Sequence, residues 1–380
     1  MDTKMFSTRT ERKLRENPHV DGVHILGLDM GYSGPKCFHE KGNFVFPNYC
    51  KKIEHEIFGE LNKSDMVYEN LTTGTKYFVG EKAIKSLNED SVVSENTLYE
   101  RNHYLHEDFK VTFETTLGVA FWDTKTDGND VFLQTGLPPA YLTRDEPYIR
   151  KAMEGNHRFA LTIGNERKVF DITLRPEQID VMSQPMGTYY SVVIDDDGKI
   201  TPNIKAYSGS KLMVFDGGFG TLDKFFIENN SLTSAETDAN LGMKRVFEET
   251  RKLIQNELGV TVSIPAMQNV LKTGKVRVTD LITWDVADHE IGEYLEKANE
   301  LVREEALMSI RTIVPNLRYL IMTGGTGAAW YDYFKAKLRI PGLEVLTGNA
   351  NSTLPTIYAN ARGYYMYRLN LIKQQMKQKK

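Results

Sequence analysis

Two stretches of this chain end an apolar run on an aspartate and then turn on glycines. "ILGLDMGYSGPK" runs from Ile25 to Lys36, and "MVFDGGFGTLDK" from Met213 to Lys224. Both follow one plan: apolar strand, Asp, glycine-rich turn, and a return that ends in Lys. A single Asp-Gly hairpin is ordinary in any sheet protein. Two of them, nearly half the chain apart, constrain the fold far more. They predict two related halves with a cleft between them. The flanking sequence shows no visible repeat, so this expectation rests on the hairpins and not on a duplicated sequence.

Between and after the hairpins, strands alternate with helices. "NFVFPNYC" reads as a strand, and "TKYFVGEKAIKS" as a strand that Gly80 hands over to a helix. "FKVTFETTLGVAFW" carries apolar residues at helical spacing. "NDVFLQTGLPPAYL", "FDITL" and "IDVMSQP" read as strands, and "MGTYYSVVI" as a short helix. In the second half, "LGMKRVFEETRKLIQNEL" and "HEIGEYLEKANELVREEALMSIRTIV" read as helices. "LRYLIMTGGTGAAWYDYF" gives a strand, a glycine loop and a helix, and "LPTIYANARGYYMYRLNLIKQQ" a final helix. This alternation implies an α/β fold with a parallel or mixed sheet. With 380 residues, the chain has room for two domains of ordinary size.

The hairpins suit a particular chemistry. Mg²⁺ is a hard cation usually held by one or two carboxylates, with waters and substrate phosphates completing its shell. Asp29 and Asp216, each at a strand end, can face such an ion from opposite sides. Successive backbone N–H groups in a glycine turn form an anion nest, and glycine lets a phosphate approach closely. Lys36 supplies a cation for phosphoryl charge. A third glycine loop, "MTGGTGAAW" at Met322 to Trp330, follows an apolar strand and opens a helix. There Gly324, Gly325 and Gly327 leave room for a nucleoside. Composition trims the alternatives. The net charge of -4 argues against a basic coat for holding nucleic acid. The two cysteines, Cys37 and Cys50, form no C-x-x-C pair, which fits a reducing cytoplasm. No apolar run has the length of a signal peptide or a membrane span. The basic "KQQMKQKK" at the end reads as a solvated helix end.

These residues carry a resemblance. Asp29-x-Gly31-x-x-Gly34-x-Lys36 is similar to the first phosphate loop of the actin and sugar-kinase superfamily. Asp216-Gly217-Gly218-x-Gly220-Thr221-x-Asp223 is similar to its second phosphate loop, and "MTGGTG" to its adenosine loop. "IDVMSQPMGTYY" resembles the first connecting segment and "LPTIYANARGYY" the second. The motifs fall in the family's order over residues 25–365. Within the superfamily the chain looks most like the ParM-type actin-like proteins, on "YFVGEKAI", "QTGLPPAYL" and "ANARGYY".

The resemblance implies an actin-like, ribonuclease H-like fold: two related α/β domains around a nucleotide cleft. Domain I is expected at 21–187 plus 345–380, and domain II at 188–344. It further implies binding and hydrolysis of ATP or GTP with Mg²⁺, and self-assembly into polar filaments controlled by hydrolysis. A DNA-bound adaptor would link such filaments to plasmid segregation in the cytoplasm, with no direct nucleic-acid or membrane contact. Asp29 and Asp216 would hold Mg²⁺ through water, and Gln184 would orient the attacking water. Glu177 in "RPEQ" is a lower-ranked rival. Nucleotide contacts are implied for Gly31, Tyr32, Ser33, Gly34, Lys36, Gly217, Gly218, Gly220, Thr221, Gly324, Gly325, Thr326 and Gly327. Lys244 and Glu248 would border the nucleoside, although their spacing equally describes an i, i+4 surface pair.

Other classes stay open. A small-molecule kinase on the same scaffold needs a base for its substrate hydroxyl, and Gln184 speaks against one. A chaperone-like ATPase would carry a further domain after "ANARGYY". A non-polymerising regulatory ATPase would share every motif above.

Overall fold

The computed structural model describes residues 2–55, 60–87, 102–229, 231–279 and 282–378. The first half contains strands β1 (Glu11–Leu14), β2 (His24–Met30), β3 (Pro35–His39), β4 (Gly42–Val45), β5 (Cys50–Lys52), β6 (Met66–Asn70) and β7 (Lys76–Val79). Helices α1 (Glu81–Lys85) and α2 (Glu107–Ala120) follow, then β8 (Val131–Leu137), α3 (Leu142–Met153), β9 (Gly155–Ile163), β10 (Glu166–Leu174), β11 (Ile179–Ser183) and α4 (Gln184–Val193). The second half contains α5 (Asn203–Ser208), β12 (Leu212–Gly217), β13 (Leu222–Glu228), β14 (Ser231–Asp238), α6 (Met243–Leu258) and α7 (Ile264–Thr273). It ends with β15 (Lys275–Thr279), β16 (Val286–Glu290), α8 (Gly292–Ile310), β17 (Tyr319–Thr323), α9 (Gly324–Lys337), β18 (Glu344–Thr347) and α10 (Ala359–Gln378).

Each half is built on one central sheet, and the two sheets share a topology. The first runs β1-β4-β3-β2-β8-β11 and the second β14-β13-β12-β17-β18. In both, an antiparallel meander is followed by two parallel strands. β2 therefore corresponds to β12, β3 to β13, β8 to β17 and β11 to β18. Strands β2 and β12 are covered on both faces, which is why they read as continuous apolar runs. A further sheet, β10-β9-β6-β7-β5, belongs to the first half, and the β15–β16 ribbon to the second.

The last strand of each central sheet leads toward a helix: β11 directly into α4, and β18, through residues 348–358 and their 3-10 turn Thr356–Tyr358, into α10. These two helices cross between the sheets. Tyr189, Val192 and Val193 of α4 share a core with Ala361, Tyr365 and Leu369 of α10, and with Ile25, Phe38, Val214 and Phe225 from both sheets. At the crossing, a Cβ added to Gly363 would sit 1.6 Å from the Gly187 carbonyl oxygen. Arg362 is 1% exposed and is held there by the Ser191 and Ile194 carbonyls and the Asp196 carboxylate.

The structure departs from the sequence expectations in several places, and the helix expected from His289 begins only at Gly292, because His289 and Glu290 belong to β16. "NFVFPNYC" is not one strand: β4 stops at Val45, Pro47 cannot donate to a ladder, and β5 joins a different sheet. Strand β1 pairs with β4, so the first sheet begins before residue 21. Strand β18 starts at Glu344 and pairs with β17, so residues 345–347 belong to the second sheet and not to the first domain.

Candidate functional site

The two hairpins place different partners beside their aspartates. In the first, Asp29 lies directly across from Lys36, with Nζ 3.8 Å from Oδ2. In the second, the residue across from Asp216 is Asp223 and not Lys224. The return strand there is one residue out of step with the shared plan. A one-residue slip sends a side chain to the other face of a sheet. Lys224 accordingly pairs with Glu236 at 2.8 Å, and the expected second lysine is absent from the equivalent place.

This arrangement raises three carboxyls. Asp216 is 1% exposed and is pushed up to about 6, first by burial and also by the charge of Asp29. The Asn360 amide donates to its Oδ2 at 2.7 Å and the Gln184 amide at 3.4 Å, both opposing the rise. Asp223 is pushed up to about 7 by burial and then by Asp216, although the hydroxyls of Thr237 (2.6 Å) and Thr221 (3.1 Å) donate to it. Burial also raises Asp29, against the pull of Lys36.

Asp29, Gly31, Tyr32, Ser33, Lys36, Gln184, Asp216, Gly218, Gly220, Thr221, Gly324, Gly325 and Thr326 line one cavity of about 470 Å³. Gln184 reaches it because Ser183 ends β11 and Gln184 opens α4. Gly324 turns β17 into α9 with φ of 77°, and a Cβ there would meet the Gly217 carbonyl at 2.3 Å. Thr326 donates its hydroxyl to the Gly218 carbonyl at 2.6 Å, which ties the third loop to the second.

Other expected residues do different work. Gly34, Gly217 and Gly327 are not in the lining. A Cβ on Gly34 would meet the Phe46 carbonyl at 2.4 Å, and one on Gly217 the Gly327 nitrogen at 2.6 Å. The small size of Gly34 and Gly217 lets backbone meet backbone, whereas a Cβ on Gly327 would meet nothing closer than the Gly217 nitrogen at 3.6 Å. Lys244 and Glu248 form an i, i+4 ion pair at 3.6 Å, also outside the lining. Glu177 is exposed and bound to Arg175 at 2.7 Å.

Two groups stand out among the residues that sequence reasoning missed. Asn360 lies in "ANARGYY" and could have been singled out there. It accepts from Thr188 at 2.7 Å and donates to Asp216, so α10 and α4 jointly hold that carboxylate. The second group is Lys4 to Arg9 together with Glu11, which line the same cavity. Nothing in the mixed sequence "KMFSTR" or in Glu11 signals it.

Residues 27–187 match the family model described as the actin-like proteins N-terminal domain. A ParM filament of 15 strands from Clostridium botulinum is 17% identical over 93% of this chain and 99% of that chain, with a TM-score of 0.70. The crystal structure of an archaeal actin homologue is 18% identical over 93% of this chain and 100% of that one, with a TM-score of 0.61.

The chain has an actin-like fold.

Bacillus thuringiensis ParM with ADP is 16% identical over 93% of this chain and 100% of that chain, with a TM-score of 0.58. No curated protein matches the sequence. The donor set of this actin-like chain fits a divalent cation. Two buried carboxylates repel each other in one cavity, and the Asp216 oxygens are met by neutral amides only in part, so added positive charge would relieve both.

Proposed function

We propose that this actin-like chain binds and hydrolyses ATP or GTP with Mg²⁺ in the cleft, and that hydrolysis controls a filament built from its copies. The observation that carries the reading is the convergence of Asp29, Asp216, Gln184 and the Gly324–Thr326 loop on one cavity. Lys36 and the backbone of both hairpin turns would take the phosphates, and the two aspartates would hold the metal through water. Bound Mg²⁺ would supply charge to the phosphoryl group as it is transferred. Gln184, fixed at the start of α4, would orient water without removing its proton, which suits slow hydrolysis used as a timer. An amide in that place also weighs against a small-molecule kinase, which needs a base.

Assembly rests on analogy. The Clostridium botulinum relative is a filament, and the Bacillus thuringiensis relative was solved with ADP. A contact between unlike faces that does not close gives a helix of subunits. By the same analogy the filament would serve plasmid DNA segregation through a DNA-bound adaptor, in the cytoplasm. Among the described residues, no helix is long and apolar enough to cross a membrane.

The test is light scattering and pelleting with and without Mg-ATP or Mg-GTP, alongside phosphate release. Nucleotide-dependent polymer is expected, and none at high protein concentration would sink the filament reading. Gln184→Ala is expected to polymerise still but release phosphate on the order of 10²-fold more slowly, as when one oriented donor is lost from a transition state. Unchanged release would remove Gln184 from this role.

A further inference from the structure

Residues 3–14 cross from one half of the molecule to the other, over the cleft. They start on the second half. Thr3 is buried and donates its hydroxyl to the Leu271 carbonyl at 2.8 Å, and Phe6 packs against the second half's core. The Thr8 N–H then donates to Gln268 Oε1 at 2.9 Å, again on α7. At that point the chain passes the first hairpin: the Thr8 methyl lies 3.2 Å from where a Gly34 Cβ would be. Next the Thr10 N–H donates to Glu81 Oε1 at 2.7 Å, on α1 of the first half. The segment ends as β1, an edge strand paired with β4.

Glu81 is the junction. One carboxylate oxygen takes the Thr10 N–H, and the other takes Lys272 of α7 at 3.0 Å. Beside it, Asn269 of α7 donates to the Ile84 carbonyl of α1 at 2.9 Å. Here the segment, the first half and the second half meet within a few residues. Lys4 to Arg9 and Glu11 line the cavity that Asp29, Lys36 and Asp216 also line. The segment is thus a wall of the cleft as well as a tie across it.

We propose that residues 3–14 are a strap that completes the nucleotide site, adding the cations Lys4 and Arg9 to its lining, and that the Thr10–Glu81–Lys272 junction must open before nucleotide exchanges. The part about exchange rests on the nucleotide reading above; the tie between the halves does not. The strap is built to release. It is held to the second half by the Thr3 and Thr8 hydrogen bonds to α7 and by the Phe6 ring against that half's core, and all four residues of β1 are exposed.

The test compares the full chain with a variant lacking residues 2–9 and with the double variant E81Q/Q268A, which keeps the strap but unpins it. Without nucleotide, amide hydrogen exchange is read over 81–85 and 264–273. Both variants are expected to exchange faster there than the full chain, and equal protection in either would overturn the strap as a tie. With Mg²⁺ and a fluorescent ADP analogue, release is expected to speed up on the order of tenfold as those hydrogen bonds are lost. Unchanged release from a variant whose halves have loosened would overturn the role in exchange. A full chain that takes up no analogue would sink the nucleotide reading, and the exchange data would still decide the tie.

Discussion

Asp223 occupies the cross-strand place that Lys36 holds in the first hairpin, and this inverts the local electrostatics. Asp29 has a cation opposite it. Asp216 has a second buried carboxyl opposite it, which is held up to about 7 against an ordinary 3.8. The sign follows from proton linkage. A carboxyl raised in the folded state binds its proton better folded than unfolded. Its contribution to stability is therefore complete below about 3.8 and is lost as pH rises through about 7. Asp223→Asn should remove this dependence. In nucleotide-free protein at pH 8, the variant is expected to be more stable than the parent in urea, by up to about 4 kcal/mol. The advantage should vanish near pH 4. An advantage that does not change with pH would show that Asp223 is already ionised at neutral pH. The meeting of Asp29 and Asp216 at one cavity was legible in the sequence because each ends an apolar strand before a glycine turn, whereas Gln184 was reached only through the family resemblance. The role of Asp223 was not, because a one-residue offset between hairpins becomes meaningful only once the strands are paired. Asn360 lies inside the quoted "ANARGYY" motif, but its bond to a carboxylate 144 positions away follows from no local pattern.

The helices α4 and α10 hold that carboxylate only while they remain in close contact. Replacing glycine by alanine inside a helix normally gains about 1 kcal/mol. At Gly363 the gain is overruled, because the new methyl would lie 1.6 Å from the Gly187 carbonyl oxygen. The helices would have to separate, disturbing the core they share with both sheets and the Asn360 bond to Asp216. Overpacking typically costs about 1–3 kcal/mol, so Gly363→Ala is expected to lower the thermal midpoint by several degrees. It should also slow the Mg-dependent nucleotide hydrolysis proposed for the cleft. A variant with the parent's midpoint would mean that this crossing does not lock the halves. Both helices were readable from their apolar and aromatic spacing. Their meeting at two glycines was not, since no local pattern encodes a contact between segments 176 residues apart. Elements that bury little escaped the sequence altogether. Strand β1 is the charged run "ERKL", exposed throughout, and is a strand only because β4 offers it an edge. Helix α7 also went unread, although most of it is buried: Ser263 caps it and Pro265 lies in its first turn.

At the scale of the molecule, the paired hairpins correctly announced two related halves, and the matching order of strands extends that relation beyond the hairpins themselves. The cleft is then a consequence of symmetry. Equivalent loops from two equivalent sheets face each other, with a crossed pair of helices between the sheets. Ligand bound across such a cleft contacts both halves and neither alone, so binding must be linked to the stability of the whole chain. A ligand at about 100 times its dissociation constant adds about 2.7 kcal/mol to the folded state. For a chain this long, that corresponds to a rise of a few degrees in thermal midpoint. Mg-ADP is therefore expected to raise the midpoint, and EDTA to remove most of the rise, because the two buried carboxylates disfavour phosphate charge without a cation between them. Asp29→Asn and Asp216→Asn separate the two contributions. Each should bind ADP less dependently on Mg²⁺, so the difference between Mg²⁺ and EDTA should shrink in both variants. A full rise with EDTA in the parent chain would mean that the phosphates bind through Lys36 and the loop amides alone. The aspartates would then be shaping the hairpins, not holding a metal.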